Sequence, residues 1–167
     1  ITGGTGAKTI GGIAGQTENT AVRVKNCQNE GDILGGDATG GIVGKNQASV
    51  EDCTNAGRSV EGNSNVGGIV GENKENAIVI QYCENRGKVS SAERNAGGIL
   101  GGTQQSSGSS ILDCVNRGLV ELPLNGNGSQ NSVGGIAGGV SKMEIIRCVN
   151  EGEVRHGGST SGAGNTG

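Results

Sequence analysis

The chain has 167 residues, of which 36 are glycine, with Tyr82 as its single aromatic residue, Pro123 as its single proline and a formal net charge of −3. Without Phe or Trp, any core has to be thin and built from Ile, Val, Leu, Ala and Cys, which suits a narrow stack of coils better than a thick globule. The slight charge, with no basic run and no aromatic platform, argues against nucleic-acid binding, and no stretch reaches the roughly 20 apolar residues of a membrane-spanning helix.

From Ile10 onward one pattern recurs five times: Gly-Gly-Ile-x-Gly, a variable stretch, then Cys-x-Asn-x-Gly. The glycine element falls at 11–15, 40–44, 67–71, 97–101 and 134–138, with spacings of 29, 27, 30 and 37 residues. The cysteine element starts at Cys27, Cys53, Cys83, Cys114 and Cys148, with spacings of 26, 30, 31 and 34. A fixed period of this size marks a repeat architecture. Its regular apolar positions exclude a disordered glycine-rich tail.

Within each repeat, the glycine pair is followed by the same isoleucine: Ile13, Ile42, Ile69, Ile99 and Ile136. Glycine costs about 0.5–1 kcal/mol in a strand interior relative to alanine, so five such pairs imply a geometric need, either tight backbone packing or a sharp corner. Next come apolar residues at alternate positions. Three before the cysteine stand Val24, Val50, Ile80, Ile111 and Ile145, and five before it Val22, Ala48, Ile78, Ser109 and Met143. This period of two predicts a strand with one buried face. The cysteine breaks the alternation by one residue, which predicts a bend or bulge just before it.

Two residues after each cysteine stand Asn29, Asn55, Asn85, Asn116 and Asn150, and two further on a glycine, placed for a positive φ or a close approach between coils. Six after the cysteine, Ile33, Ser59, Val89, Val120 and Val154 mark a further strand. Val60 follows the exceptional Ser59, so the second repeat is expected to slip by one residue. The fold class is therefore all-β: a parallel β-helix or β-solenoid of about five coils, each of roughly 30 residues and three short strands. The asparagines would form an internal ladder, because a buried amide left without partners costs roughly 1–3 kcal/mol.

Five cysteines at one repeated position are unlike a close CxxC ligand pair. Stacked coils would hold them about 4.8 Å apart. That distance is compatible with a disulfide, but parallel side chains do not point at each other, so a buried column of free thiols is expected. The longest insertion, 121–132, carries Pro123 and Asn125-Gly126-Asn127-Gly128 and reads as an exposed loop. Residues 1–156 form one repeat domain on this reading. Residues 157–167 are a Gly/Ser/Thr-rich tail or a partial sixth coil with Gly162-Ala163-Gly164 as a worn glycine motif. Neither terminus reads as a cap, and the chain begins at Ile1 with no signal-peptide pattern, as a mature product or a piece of something longer would.

Gly-Gly-Ile-x-Gly followed by the Cys- and Asn-bearing turn resembles the GLUG repeat of bacterial surface adhesins, found also beside the catalytic domain of some secreted IgA-cleaving peptidases. The resemblance covers residues 10–154. It implies a secreted or cell-surface β-solenoid with an adhesive or stalk role, an extracellular location, and a host or surface glycan or protein as partner. The chain differs in using Ile where many members have Leu or Val.

Catalytic chemistry finds little support. His156 is the only histidine and sits beside Gly157-Gly158, and no zinc, calcium or phosphate-loop motif is present, so neither catalytic residues, metal ligands nor cofactors are assigned. Grouped carboxylates could serve a carbohydrate-active β-helix, and Asp52 and Asp113 share the position before the cysteine, with Glu51 and Glu84 nearby. With Tyr82 in the intervening coil, Asp52 and Asp113 would be two rungs apart, roughly 9–10 Å, at or beyond the 6.5–9.5 Å of an inverting pair. No basic clamp is evident beside them. Arg86 and Arg117 follow consecutive ladder asparagines and would stack one rung apart, a candidate contact patch for an acidic glycan or a protein carboxylate. The expected function is a structural or adhesive surface segment and not an enzyme. End-to-end association into a filament is the alternative.

Overall fold

The computed structural model describes residues 1–3, 8–123, 131–157 and 165–166. The chain is an all-β solenoid of five coils, and every described strand pairing is parallel, like residue over like. The third coil is representative, with strands Val66–Gly67, Val70–Asn73, Val79–Gln81, Glu84–Asn85 and Lys88–Ser91.

Each coil therefore holds five short strands, where the sequence pattern predicts three. Two of the predicted strands are each split by a bend. One bend is the residue before the cysteine, which has positive φ in all five coils: Asn26 at 55°, Asp52 at 52°, Tyr82 at 54°, Asp113 at 51° and Arg147 at 52°. The other follows the first glycine of each pair, between strands such as Val66–Gly67 and Val70–Asn73. Five strands per coil give five parallel sheets, four of five strands and one of six. The second coil does slip, since Val60 pairs with Ile33 below and Val89 above.

Two apolar columns run along the axis. One holds Ile42, Ile69 and Ile99 with Val50, Ile80, Ile111 and the cysteines. The other holds Ile10, Ile33, Val60, Val66, Val89, Val120 and Val133. Between them the coil is pinched at a waist, where the second glycine of each pair meets the ladder asparagine of the same coil. A Cβ on Gly68 would lie 2.3 Å from Asn85 Cγ and 2.1 Å from the Gly98 carbonyl oxygen, and the same two contacts recur at Gly41 and Gly98. Glycine is needed there for approach, not for φ. The glycine two residues after the asparagine follows the same logic in every coil but the first, where Gly31 has no coil before it: a Cβ on Gly87 would lie 2.2 Å from the Gly57 carbonyl oxygen. Among the described glycines only Gly108 has positive φ.

Burial falls off at both ends of the stack. Ile13 is 47% exposed and Ile145 43% exposed, although their equivalents Ile69 and Ile80 are fully buried. Val22 is exposed for the same reason, its equivalents Ala48 and Ile78 being buried: an end coil has a neighbour on one side only. Backbone continues past the end coils. Thr2 bridges Leu34, and Asn165–Thr166 pairs with Ser132–Val133 as a sixth strand of the pre-glycine sheet. The glycine motif expected at 162–164 lies outside the described residues, as do 124–130 of the loop expected over 121–132, whose edges are instead strand: Glu121 and a buried Leu122 close Val120–Leu122, and Ser132 opens Ser132–Gly134.

Candidate functional site

The repeated positions form continuous polar and thiol columns. In the asparagine column, each Nδ2 donates to the Oδ1 one coil on, from Asn29 to Asn55, Asn85, Asn116 and Asn150, at 2.8 Å in every step. Nδ2 also donates to the carbonyl two residues later, as Asn85 does to Gly87 at 2.8 Å and Asn116 to Gly118 at 2.9 Å. Asn55, Asn85 and Asn116 are fully buried, whereas Asn150 lies exposed on the last coil. Each amide thus meets its demand inside the waist, which an apolar residue there would leave open.

A second polar column, not anticipated from the sequence, runs through Thr17, Asn46, Asn73 and Thr103. Thr17 Oγ1 donates to Asn46 Oδ1 at 3.1 Å, and Asn46 Nδ2 donates to Asn73 Oδ1 at 3.5 Å and to the Ala48 carbonyl at 2.7 Å. Its signal was present as Gly-Lys-Asn at 44–46 and Gly-Glu-Asn at 71–73. Thr17 and Thr103 at the flanking positions disguise the period.

The cysteines are all free. Cys53, Cys83 and Cys114 are buried, and Cys27 and Cys148 are partly exposed on the end coils. Each thiol donates to the carbonyl two residues before it, at 3.1 Å for Cys53 and 3.2 Å for Cys83 and Cys114. Each of these three also reaches a carbonyl of the preceding coil at 3.7 Å. Thiol contacts with Cys114 and Cys53, then burial, push Cys83 well above the ordinary thiol range. Burial, followed by the neighbouring Cys53, raises Cys27.

On the outside, charges pair from coil to coil. Arg147 grips Asp113 through two bonds of 2.6 and 2.7 Å, and that hydrogen bonding holds the Asp113 carboxyl below the usual range. Lys25 lies 3.4 Å from Asp52 and 3.2 Å from Glu51. The carboxylates before the cysteine therefore do have basic partners, which the sequence pattern did not reveal because the partners sit 34 and 27 residues away. Arg86 and Arg117 converge on Glu84, each at 2.7 Å, and Arg117 also bonds Glu151. Hydrogen bonds from Arg86 and Arg117 keep the Glu84 carboxyl low. Glu84 thus provides the anionic partner that two stacked arginines require. Glu72, nearly buried, is satisfied by Lys45 at 3.4 Å, Asn65 at 3.1 Å and Gln104 at 3.0 Å.

His156 stands in a strand opposite Leu122, half-buried. Among the described residues no group of three or more His, Cys, Asp or Glu side chains is arranged to hold a metal ion, and no helix is long and apolar enough to cross a membrane.

Residues 35–61 match the GLUG motif, spanning the second glycine element, Cys53, Asn55 and the strand to Glu61. Comparison with curated proteins finds no match, and neither does comparison with solved structures.

Proposed function

We propose that this chain is a non-catalytic structural segment of a secreted or cell-surface protein, mediating attachment or projecting other modules. The observation that carries this reading is the uninterrupted asparagine column through all five coils. Such a column joins neighbouring coils by side chain as well as backbone, and quasi-one-dimensional stacks of this kind serve as spacers and extended contact surfaces. The outward rows, by contrast, change from coil to coil, so specificity would reside there. The low Asp113 carboxyl, held by Arg147, is ill-suited to a general acid, which has to keep its proton near neutral pH.

Beads coated with the segment and passed over immobilised glycans and proteins test the attachment reading. Retention that disappears on unfolding supports an adhesive surface. Passage without retention leaves the projecting role, and cleavage of a polysaccharide panel contradicts the proposal.

The exposed Ile13 and Val22 at one end, and Ile145 at the other, whose equivalents in the inner coils are buried, favour a second reading, end-to-end association into a filament. Light scattering across a concentration series separates the two, since only the filament grows with concentration.

A further inference from the structure

The cysteine column has a geometry that neither a spacer nor an adhesive surface requires. All five thiols make the same contact with the carbonyl two residues before them, so they project alike from successive coils. Thiols related in this way are separated by one rung, about 4.8 Å. Two metal–thiolate bonds of about 2.3 Å, placed in line, span about 4.6 Å. A disulfide, by contrast, needs its sulfurs about 2.05 Å apart, which parallel side chains on adjacent rungs do not offer without rearrangement.

We propose that this column is a binding site for thiophilic d10 cations that favour linear two-coordination, held between Cys27 and Cys53 and between Cys114 and Cys148. In each pair one thiol is partly exposed at an end of the stack and the other is buried. The cation enters from the end, and Cys83 at the centre is left over. For a divalent ion the step is M²⁺ + 2 RSH → M(SR)₂ + 2 H⁺: two S–H bonds break, two M–S bonds form, and both protons leave to solvent. The product is neutral, so no charge is stranded in the apolar column. Soft thiolate ligands favour such ions over hard ones. The lack of any larger donor cluster among the described residues disfavours zinc, which wants four ligands. The inference is independent of the attachment role.

The test is titration of the reduced chain with mercury(II) chloride in excess monothiol, so that only paired thiols compete, with bound ions counted by native mass spectrometry. The expected count is two per chain, with a raised melting temperature, and no zinc(II) retained under the same conditions. Cys83→Ala should still bind two. Cys27→Ala/Cys83→Ala and Cys53→Ala/Cys114→Ala each keep three thiols, but only the first keeps an adjacent pair, so they should bind one and none. Circular dichroism confirms that each variant is folded before it is counted. A count that follows the number of thiols instead of their adjacency, or no ion retained against monothiol, overturns the proposal.

Discussion

Gly68 and Asn85 meet across the waist of the third coil so closely that a single added methyl carbon on Gly68 would sit 2.3 Å from the Asn85 amide carbon. The contact links the two most persistent features of the repeat. The asparagine column can run through the centre only because glycine stands opposite it, and the two apolar columns are separate because this contact closes the space between them.

Gly68→Ala is therefore expected to cost about 3 kcal/mol, at the upper end of ordinary overpacking, because backbone of the next coil as well as the amide blocks the methyl group. Gly15→Ala is the control, since the nearest atom to its Cβ is 3.5 Å away. Urea denaturation of both variants checks the difference.

Asn85→Ala should lower stability by about 3 kcal/mol, because it strands the Asn55 donor and the Asn116 acceptor in a buried column. Asn19, which is exposed and only accepts a local bond from the Ala21 amide at 2.8 Å, should tolerate alanine with little loss. Equal melting temperatures for the two variants would contradict a stabilising column.

Much of this was legible in the sequence, for a physical reason. Stacking like residue on like writes each column into the chain as a period, so the Cys, Asn and Ile series and even the slip at Val60 could be read directly. The number of strands per coil could not. The broken alternation does place a bend before each cysteine, where Asn26, Asp52, Tyr82, Asp113 and Arg147 are left-handed, but these residues share no chemistry that says the bend ends one strand and starts another. The ion pairs were hidden similarly, because Asp113–Arg147 and Glu84–Arg117 join different alignment columns, or different side chains in one column, across a rung. End effects also escape a periodic reading: Ile13 and Ile69 are the same letter in the same place, yet only one has a coil on either side.

Tyr82 holds φ of 54° while 56% exposed, in a conformation that costs a residue with Cβ about 1–2 kcal/mol. Asparagine tolerates this region better and already occupies the equivalent position as Asn26. Tyr82→Asn is expected to raise stability by about 0.5–1 kcal/mol, and Tyr82→Val to lower it. Thermal melts of the pair decide the point.

The Asp113–Arg147 pair predicts a pH dependence with a definite sign. The folded carboxyl lies below its unfolded value of about 3.9, so its stabilisation is present above about pH 4 and disappears as pH falls through the folded value. Wild-type should lose more of its melting temperature between pH 6 and pH 2 than Asp113→Asn does, and high salt should narrow the gap, because the pair is exposed to solvent.

The most direct test of the central claim, that an asparagine column ties five coils into one continuous stack, is hydrogen exchange at the side-chain amides, followed by NMR. The Nδ2 protons of Asn55, Asn85 and Asn116 should exchange far more slowly than those of exposed asparagines such as Asn19, because each is buried and bonded to the next coil. Exchange at all three as fast as at Asn19 would mean that no such column exists in solution.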